Sequence, residues 1–539
     1  MFSAVDFYES GGTWPLQPVR RHVAPQVYCA WNLDAFAEEC MWRGHTDMEH
    51  ILGLAARGLD DKAHGPRYYW LCPAYPSVFE PGNFEFMQEH LAKKRASRPR
   101  KLWGFFPGPA LLPAYVAPAG VDLRWKDGKR RLFSDRGGAR TRGPGGVTPW
   151  RAKRKRDPSP LSHNGRVDIR RRQNFPGAGY MTVTSMGVAI QILLAVALFC
   201  AGGVQPPGLR VVTFKTDFCS WYEQIPRAWA CVWAQQLLLL SWRWEVDPML
   251  IFGGSDCVEG AQRVEVAIVF VIECRMDEAQ ALLLVLSALA LGWSVHGLEQ
   301  LVGPLQALEA AAQYLPGHAE APGLDATGLI TVDVLTPLVA WMEARASLGQ
   351  PTRWSLVAGM IDDSAAAMFE FFQPTAQRVV FGFFREFDFE VADGLDGRKQ
   401  KTEWSEFTSS MLLLGVMLNK SRQRFQAEPA KLVTFRRAVA EMCTGRVPPL
   451  PEHEWLQVRV KAAQRALGQL ANVVITVAPE CKGMVTQLHE WIPAQSPGGP
   501  GAEEATLQVP GYALNALAAT GELAFGSRGA VFVPRAGRG

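Results

Sequence analysis

The run Leu356-Val357-Ala358-Gly359-Met360-Ile361-Asp362-Asp363-Ser364 is a short apolar segment that stops on two adjacent carboxylates. Such a run, with Trp354 ahead of it, reads as a buried strand over 354–361. Aspartates side by side at a strand end repel each other, and bound cations relieve that cost. A second strand with the same kind of ending lies upstream, where the β-branched and aromatic residues of Val211-Val212-Thr213-Phe214-Lys215-Thr216 lead to Asp217. Neither ending is specific alone, since Asp60-Asp61 is another such pair and reads as a solvated helix end.

Around these strands lies a chain of 539 residues, 48% hydrophobic and 20% charged, which can bury a large core. A mostly disordered chain and a disulfide-stapled miniprotein are excluded. The formal net charge of +4 hides a strong asymmetry: residues 93–172 carry +18 and the remainder −14, so one segment suits a polyanion. The ten cysteines form no C-x-x-C pair, which argues against a zinc ribbon and for reduced thiols in a nuclear or cytosolic protein. Cys40, His45 and His50 fit no common zinc spacing and read as residues of an amphipathic helix. No basic start followed by an apolar run marks a secretory signal in residues 1–10. The apolar stretch 186–204, preceded by Arg170-Arg171-Arg172, has two readings that periodicity does not separate, a fully buried helix or a membrane span.

Composition divides the chain into a helical N-terminal region (1–90), a basic segment of loops and short strands (91–181), and an apolar α+β region (182–428). The candidate strands of that third region are 209–218, 354–361 and 379–384. Helices follow over 429–490, where Leu432, Phe435, Val439 and Met442 share one face, and then a loose Pro/Gly/Ala-rich tail over 491–539.

Six short strings recur in a discriminating order. They are Lys126-Asp127-Gly128-Lys129-Arg130-Arg131-Leu132-Phe133-Ser134-Asp135; Asp217-Phe218-Cys219-Ser220-Trp221-Tyr222-Glu223-Gln224-Ile225-Pro226; Phe252-Gly253; Ile361-Asp362-Asp363; Arg398-Lys399-Gln400-Lys401; and Leu412-Leu413-Leu414-Gly415-Val416. Taken singly, the first reads equally as a solvated basic turn, Tyr222 as a core aromatic, Phe252-Gly253 as a strand end with a turn, and the fifth as a solvated face. The run Arg151-Ala152-Lys153-Arg154-Lys155-Arg156 reads as a nuclear-import signal, a phosphate-contacting loop, or both.

In this order the strings resemble those of retroelement reverse transcriptases, particularly gypsy-like retrotransposon polymerases, over 91–470, about 70% of the chain. The resemblance implies an α+β right-hand polymerase with fingers (91–181), palm (182–428) and thumb (429–490), plus the small helical N-terminal region. It implies RNA-directed DNA synthesis on an RNA or DNA template with primer, using dNTPs and two Mg²⁺ ions held by Asp217, Asp362 and Asp363. Lys126 and Arg131 match the pair that grips the triphosphate, as suits an ammonium and a bidentate guanidinium. Tyr222 matches the aromatic that blocks a 2′-hydroxyl, and Phe252 and Gly253 the loop that positions template and nucleotide. Lys399 or Lys401 matches the basic residue beside pyrophosphate, and Leu414, Gly415 and Val416 the primer grip. No stable membrane association is expected, and localisation is nuclear or cytoplasmic.

The match has departures. Met360 stands where the family has an aromatic before the catalytic pair, so an inactive descendant kept for nucleic-acid binding is the first alternative, ahead of a membrane-anchored protein. Phe252-Gly253 lacks the usual preceding proline, and the long interval to Asp362 reads as a palm insertion at about 279–350. No G-x-S-x-G, phosphate loop or His/Cys array points to a second catalytic domain.

Overall fold

The computed structural model describes residues 31–60, 70–71, 74–97, 102–106, 115–123, 130–134, 183–201, 207–240, 243–251, 254–294, 302, 305–346, 355–360, 363–391, 410–413, 416–419, 424–478, 481, 483, 485–486 and 506–526. The helices are α1 (Leu33–Trp42), α2 (Met48–Arg57), α3 (Asn83–Ala96), α4 (Val183–Ala201), α5 (Ser255–Ala290), α6 (Val332–Ala346), α7 (Gln373–Glu386), α8 (Pro429–Met442), α9 (Val460–Thr476) and α10 (Gly511–Gly526). The fold is mixed α+β, with several small sheets rather than one large one.

At its centre is a three-stranded antiparallel sheet of β6 (Val211–Asp217), β10 (Asp363–Phe369) and β9 (Ser355–Met360), with β10 in the middle. Helix α5 lies along one face: Gln280 Nε2 donates to Ser355 Oγ at 2.6 Å, and Ser364 Oγ donates to Glu265. Helix α4 packs against β10 and β6. Residues Ala365 to Phe369 of β10 are all 0% exposed, so both faces of the strand are closed. The three consecutive alanines leave room for helices to approach from each side.

This settles the apolar stretch 186–204. Most of it is α4, which turns Met186, Ile190, Leu193 and Ala197 into the core while Ile192 and Phe199 stay exposed. Among the described residues no helix is long and apolar enough to cross a membrane.

The expected strand at 379–384 is instead part of α7. Val379, Val380, Phe383 and Phe384 are buried, and their i, i+1, i+4, i+5 spacing is that of one helix face. Packing on a helical period overrides the β preference of Val and Phe. Helix α1 joins the same core: Trp31 stacks on Phe389 at 4.5 Å between centroids, and Phe36 meets Phe387 edge-on at 5.6 Å. The described N-terminal helices α1 and α2 thus complete the central core and have no separate one.

The described part of the basic segment contributes β2 (Trp103–Phe106), β3 (Tyr115–Val116), β4 (Ala119–Leu123) and β5 (Arg130–Ser134). With β1 (Trp70–Leu71), β7 (Gln236–Leu240) and β8 (Arg243–Val246), β2 and β3 build a five-stranded sheet, β1-β3-β7-β8-β2, while β4 and β5 form a hairpin. Next come β11 (Ser410–Leu413), β12 (Val416–Asn419) and β13 (Arg424–Ala427), a small antiparallel sheet.

The segment expected as a loose tail is ordered over 506–526. There β15 (Thr506–Pro510) pairs with β14 (Trp455–Arg459), and α10 packs against α8, with Phe525 5.2 Å from Phe435. Leu507 and Val509 are buried, an alternation that the Pro/Gly/Ala-rich surroundings mask. The proposed insertion boundary near 279 falls inside α5, one continuous 36-residue helix.

Candidate active site

Strand register builds the site. In the β6–β10 ladder Asp363 is the Cα partner of Asp217, and Ser364 of Thr216. Directly opposed residues on antiparallel strands stand about 4.5–5.5 Å apart at Cα. Two aspartates remote in sequence therefore share one edge of the central sheet. On the other side of β10, Asp363 is the partner of Met360, and only residues 361 and 362 connect β9 to β10. Asp362 lies in that connection, outside the described residues.

The face behind this edge is braced by α5. Ser364 donates to Glu265, and Gln262 Nε2 donates to the Gly359 carbonyl at 3.4 Å. Gly359 is the Cα partner of Ser364, and a Cβ there would come within 2.7 and 2.8 Å of Glu265 Cγ and Cδ. Gly359→Ala is accordingly expected to push Glu265 away from Ser364 and destabilise the fold by about 1–3 kcal/mol. Urea denaturation would read this as a lower midpoint at unchanged slope.

A residue the sequence reading passed over is Lys215. It lies two positions before Asp217 on β6 and is half-buried, with Ala365 as its Cα partner. The two-residue alternation was the available signal.

Tyr222 is half-buried in the 3-10 turn Trp221–Gln224 that follows β6. The chain enters this turn through Ser220 in the left-handed region at φ +49°. Gln224 then ties it down: its Nε2 donates to the carbonyls of Cys219 at 2.7 Å and Glu390 at 2.6 Å, and its Oε1 accepts from the Glu390 amide at 3.0 Å. Trp221 stacks on Phe218 at 4.4 Å.

Arg131 is exposed on β5, opposite Asp122 of β4 and on a different sheet from the aspartates. Val416 is buried at the start of β12. Lys126, Phe252, Gly253, Lys399, Lys401, Leu414 and Gly415 lie outside the described residues. The register brings together Asp217 and Asp363, while Arg131 and Val416 belong to other sheets. Among the described residues no three His, Cys, Asp or Glu side chains gather as a ready metal cluster, so it is strand register that defines the carboxylate pair.

No protein-family model matches this chain, and no curated protein matches it. Among solved structures, it is similar to the foamy viral protease-reverse transcriptase with double-stranded DNA, at TM-score 0.36 and 11% identity, covering 93% of this chain and 61% of that one. The foamy viral protease-reverse transcriptase with an RNA/DNA hybrid gives TM-score 0.38 at 9% identity, covering 93% and 46%. Another with double-stranded DNA gives 0.37 at 10%, covering 93% and 72%. The chain spans about three fifths of the length of the first of these structures.

Proposed function

We propose that the chain is an RNA-directed DNA polymerase that extends a primer on an RNA or DNA template with dNTPs. The observation that carries this reading is the pairing of Asp363 with Asp217, next to the connection that contains Asp362. Carboxylate oxygens are the hard donors that Mg²⁺ prefers, so the residues fit the two ions this chemistry uses. When bound, such ions lower the charge barrier to attack of a 3′-hydroxyl on an α-phosphate. Asp217, Asp362 and Asp363 would hold them. Lys126 and Arg131 would bind the triphosphate, and Lys399 or Lys401 would face the pyrophosphate. Tyr222 would exclude a 2′-hydroxyl, and Phe252 and Gly253 would seat the templating pair. Leu414, Gly415 and Val416 would orient the primer end, and the basic segment would supply sequence-independent affinity for the backbone. The location is nuclear or cytoplasmic, and the run 151–156 serves as an import signal, a phosphate-contacting loop, or both.

The test is incorporation of dNTPs on poly(rA)/oligo(dT) and on a primed DNA template. Extension that needs Mg²⁺ and stops with EDTA is the expected result. Salt-sensitive binding without extension would replace the reading with that of an inactive descendant. Met360, standing opposite Asp363 in place of an aromatic, is the feature that favours this second reading.

A further inference from the structure

Helix α3 is fastened at both ends to segments that carry proposed nucleotide contacts. At its start, Asn83 Oδ1 accepts from Arg130 Nε at 2.8 Å, and Arg130 is the neighbour of Arg131 on β5. Near its end, His90 Nε2 and Lys94 Nζ, one turn apart on the same face, reach Glu223 Oε1 at 3.4 and 3.5 Å. Glu223 is the neighbour of Tyr222. Lys94, with a side chain only 8% exposed, also pairs with the buried Asp247 at 2.6 Å, and Arg95 pairs with the buried Glu245 at 2.5 Å. Burial alone would lower the Lys94 pKa, but the charges of Asp247 and then Glu223 outweigh it and raise it.

The two kinds of contact differ in consequence. The Lys94–Asp247 pair is closed off from solvent and anchors the helix, and breaking it would strand a buried charge. The Glu223 carboxylate is 21% exposed and stands 3.4 Å from His90 and 3.5 Å from Lys94, so altering it costs less than breaking the buried pair. A 14-residue helix is stiff and about 21 Å long. A displacement at one end is therefore delivered to the other.

On the polymerase reading above, we infer that α3 is a strut coupling the β5 strand that presents Arg131 to the turn that presents Tyr222, with Glu223 and Asn83 as its positioning residues. Nucleotide grip and sugar selection are then set together. Glu223→Gln would loosen the Tyr222 turn directly, and Asn83→Ala would loosen it from the far end.

Two measurements on the full chain test this. The first is hydrogen exchange over 219–225, which needs no activity; the second is the ratio of dNTP to rNTP incorporation, with KM and kcat resolved. Both variants are expected to speed exchange in the turn, lower the sugar preference by about tenfold and raise KM for dNTP with kcat nearly unchanged. Faster exchange with Glu223→Gln but not with Asn83→Ala would overturn the strut. Unchanged exchange in both would overturn it whatever the activity. Faster exchange in both, from a wild type that extends no primer, would sink the polymerase reading and uphold the mechanical coupling. Equal melting temperatures for the variants and wild type would exclude global unfolding as the cause.

Discussion

Asp217→Asn is expected to reduce Mg²⁺-dependent primer extension by on the order of 10³-fold or more, and at the same time to raise the melting temperature measured in EDTA. The first effect follows from the proposed function: loss of one carboxylate would weaken the hold on cations that would be worth several kcal/mol to the transition state, and about 1.4 kcal/mol is a factor of ten. The second follows from register: like charges at directly opposed positions on antiparallel strands cost up to about 1 kcal/mol, and Asp217 is the Cα partner of Asp363. Mg²⁺ should therefore raise the melting temperature of the wild type more than that of the variant. Binding to template-primer should keep its dependence on salt, because the basic segment is untouched. Asp362→Asn and Asp363→Asn should behave alike in the extension assay. Incorporation at the wild-type rate by all three would refute the assignment.

The largest loss of stability is expected from Arg275→Met, at about 3 kcal/mol. Arg275 is 5% exposed on α5 and joins three elements there. Its Nε donates to Glu39 Oε1 of α1 at 2.8 Å, and its Nη1 donates to Tyr314 Oη at 2.9 Å and to Glu386 Oε2 of α7 at 2.6 Å. Its guanidinium also lies 5.5 and 5.3 Å from the ring centroids of Phe383 and Phe387. Burial would raise the Glu39 pKa, but Arg275 and then Arg43 outweigh it and hold it below the usual carboxylate range. A depressed native pKa adds stability above the unfolded value and loses it as pH falls through the folded one. Wild-type stability should thus fall on acidification below the ordinary carboxylate range, and Arg275→Met should flatten that slope. Urea midpoints from pH 7 down to pH 3 would check it. A midpoint at pH 7 within error of the wild type would show that Arg43 alone supports Glu39.

How legible each element was depended on how local its cause is. The strands β6 and β9 were readable because a run of apolar and β-branched residues ending in charge needs only its own few residues to be recognised. The same vocabulary misled at 379–384, where Val379, Val380, Phe383 and Phe384 are buried on one face of a helix that packs on α5 and meets Phe36 of α1 through Phe383. Residues 506–526 were hidden for the opposite reason. Their composition is loop-like, and they are ordered by partners some 50 or more residues away, β14 and α8. Of the candidate site, the carboxylates and Tyr222 were visible as residue types in order, whereas Lys215 was not singled out and the contacts of α3 were invisible. Nothing in the sequence links Asn83 to Arg130 or Lys94 to Glu223.

Propensity, charge and composition act over neighbouring residues, and they made β6 with its terminal Asp217 and the strongly basic segment readable from the chain alone. Long-range packing set the rest: Asp363 opens the next strand, β10, opposite Asp217 instead of closing β9, and α4 covers the sheet as a core helix. Register is chosen by which faces must be buried, here by helices α4 and α5, and a slip of one residue would end the pairing of Asp363 with Asp217.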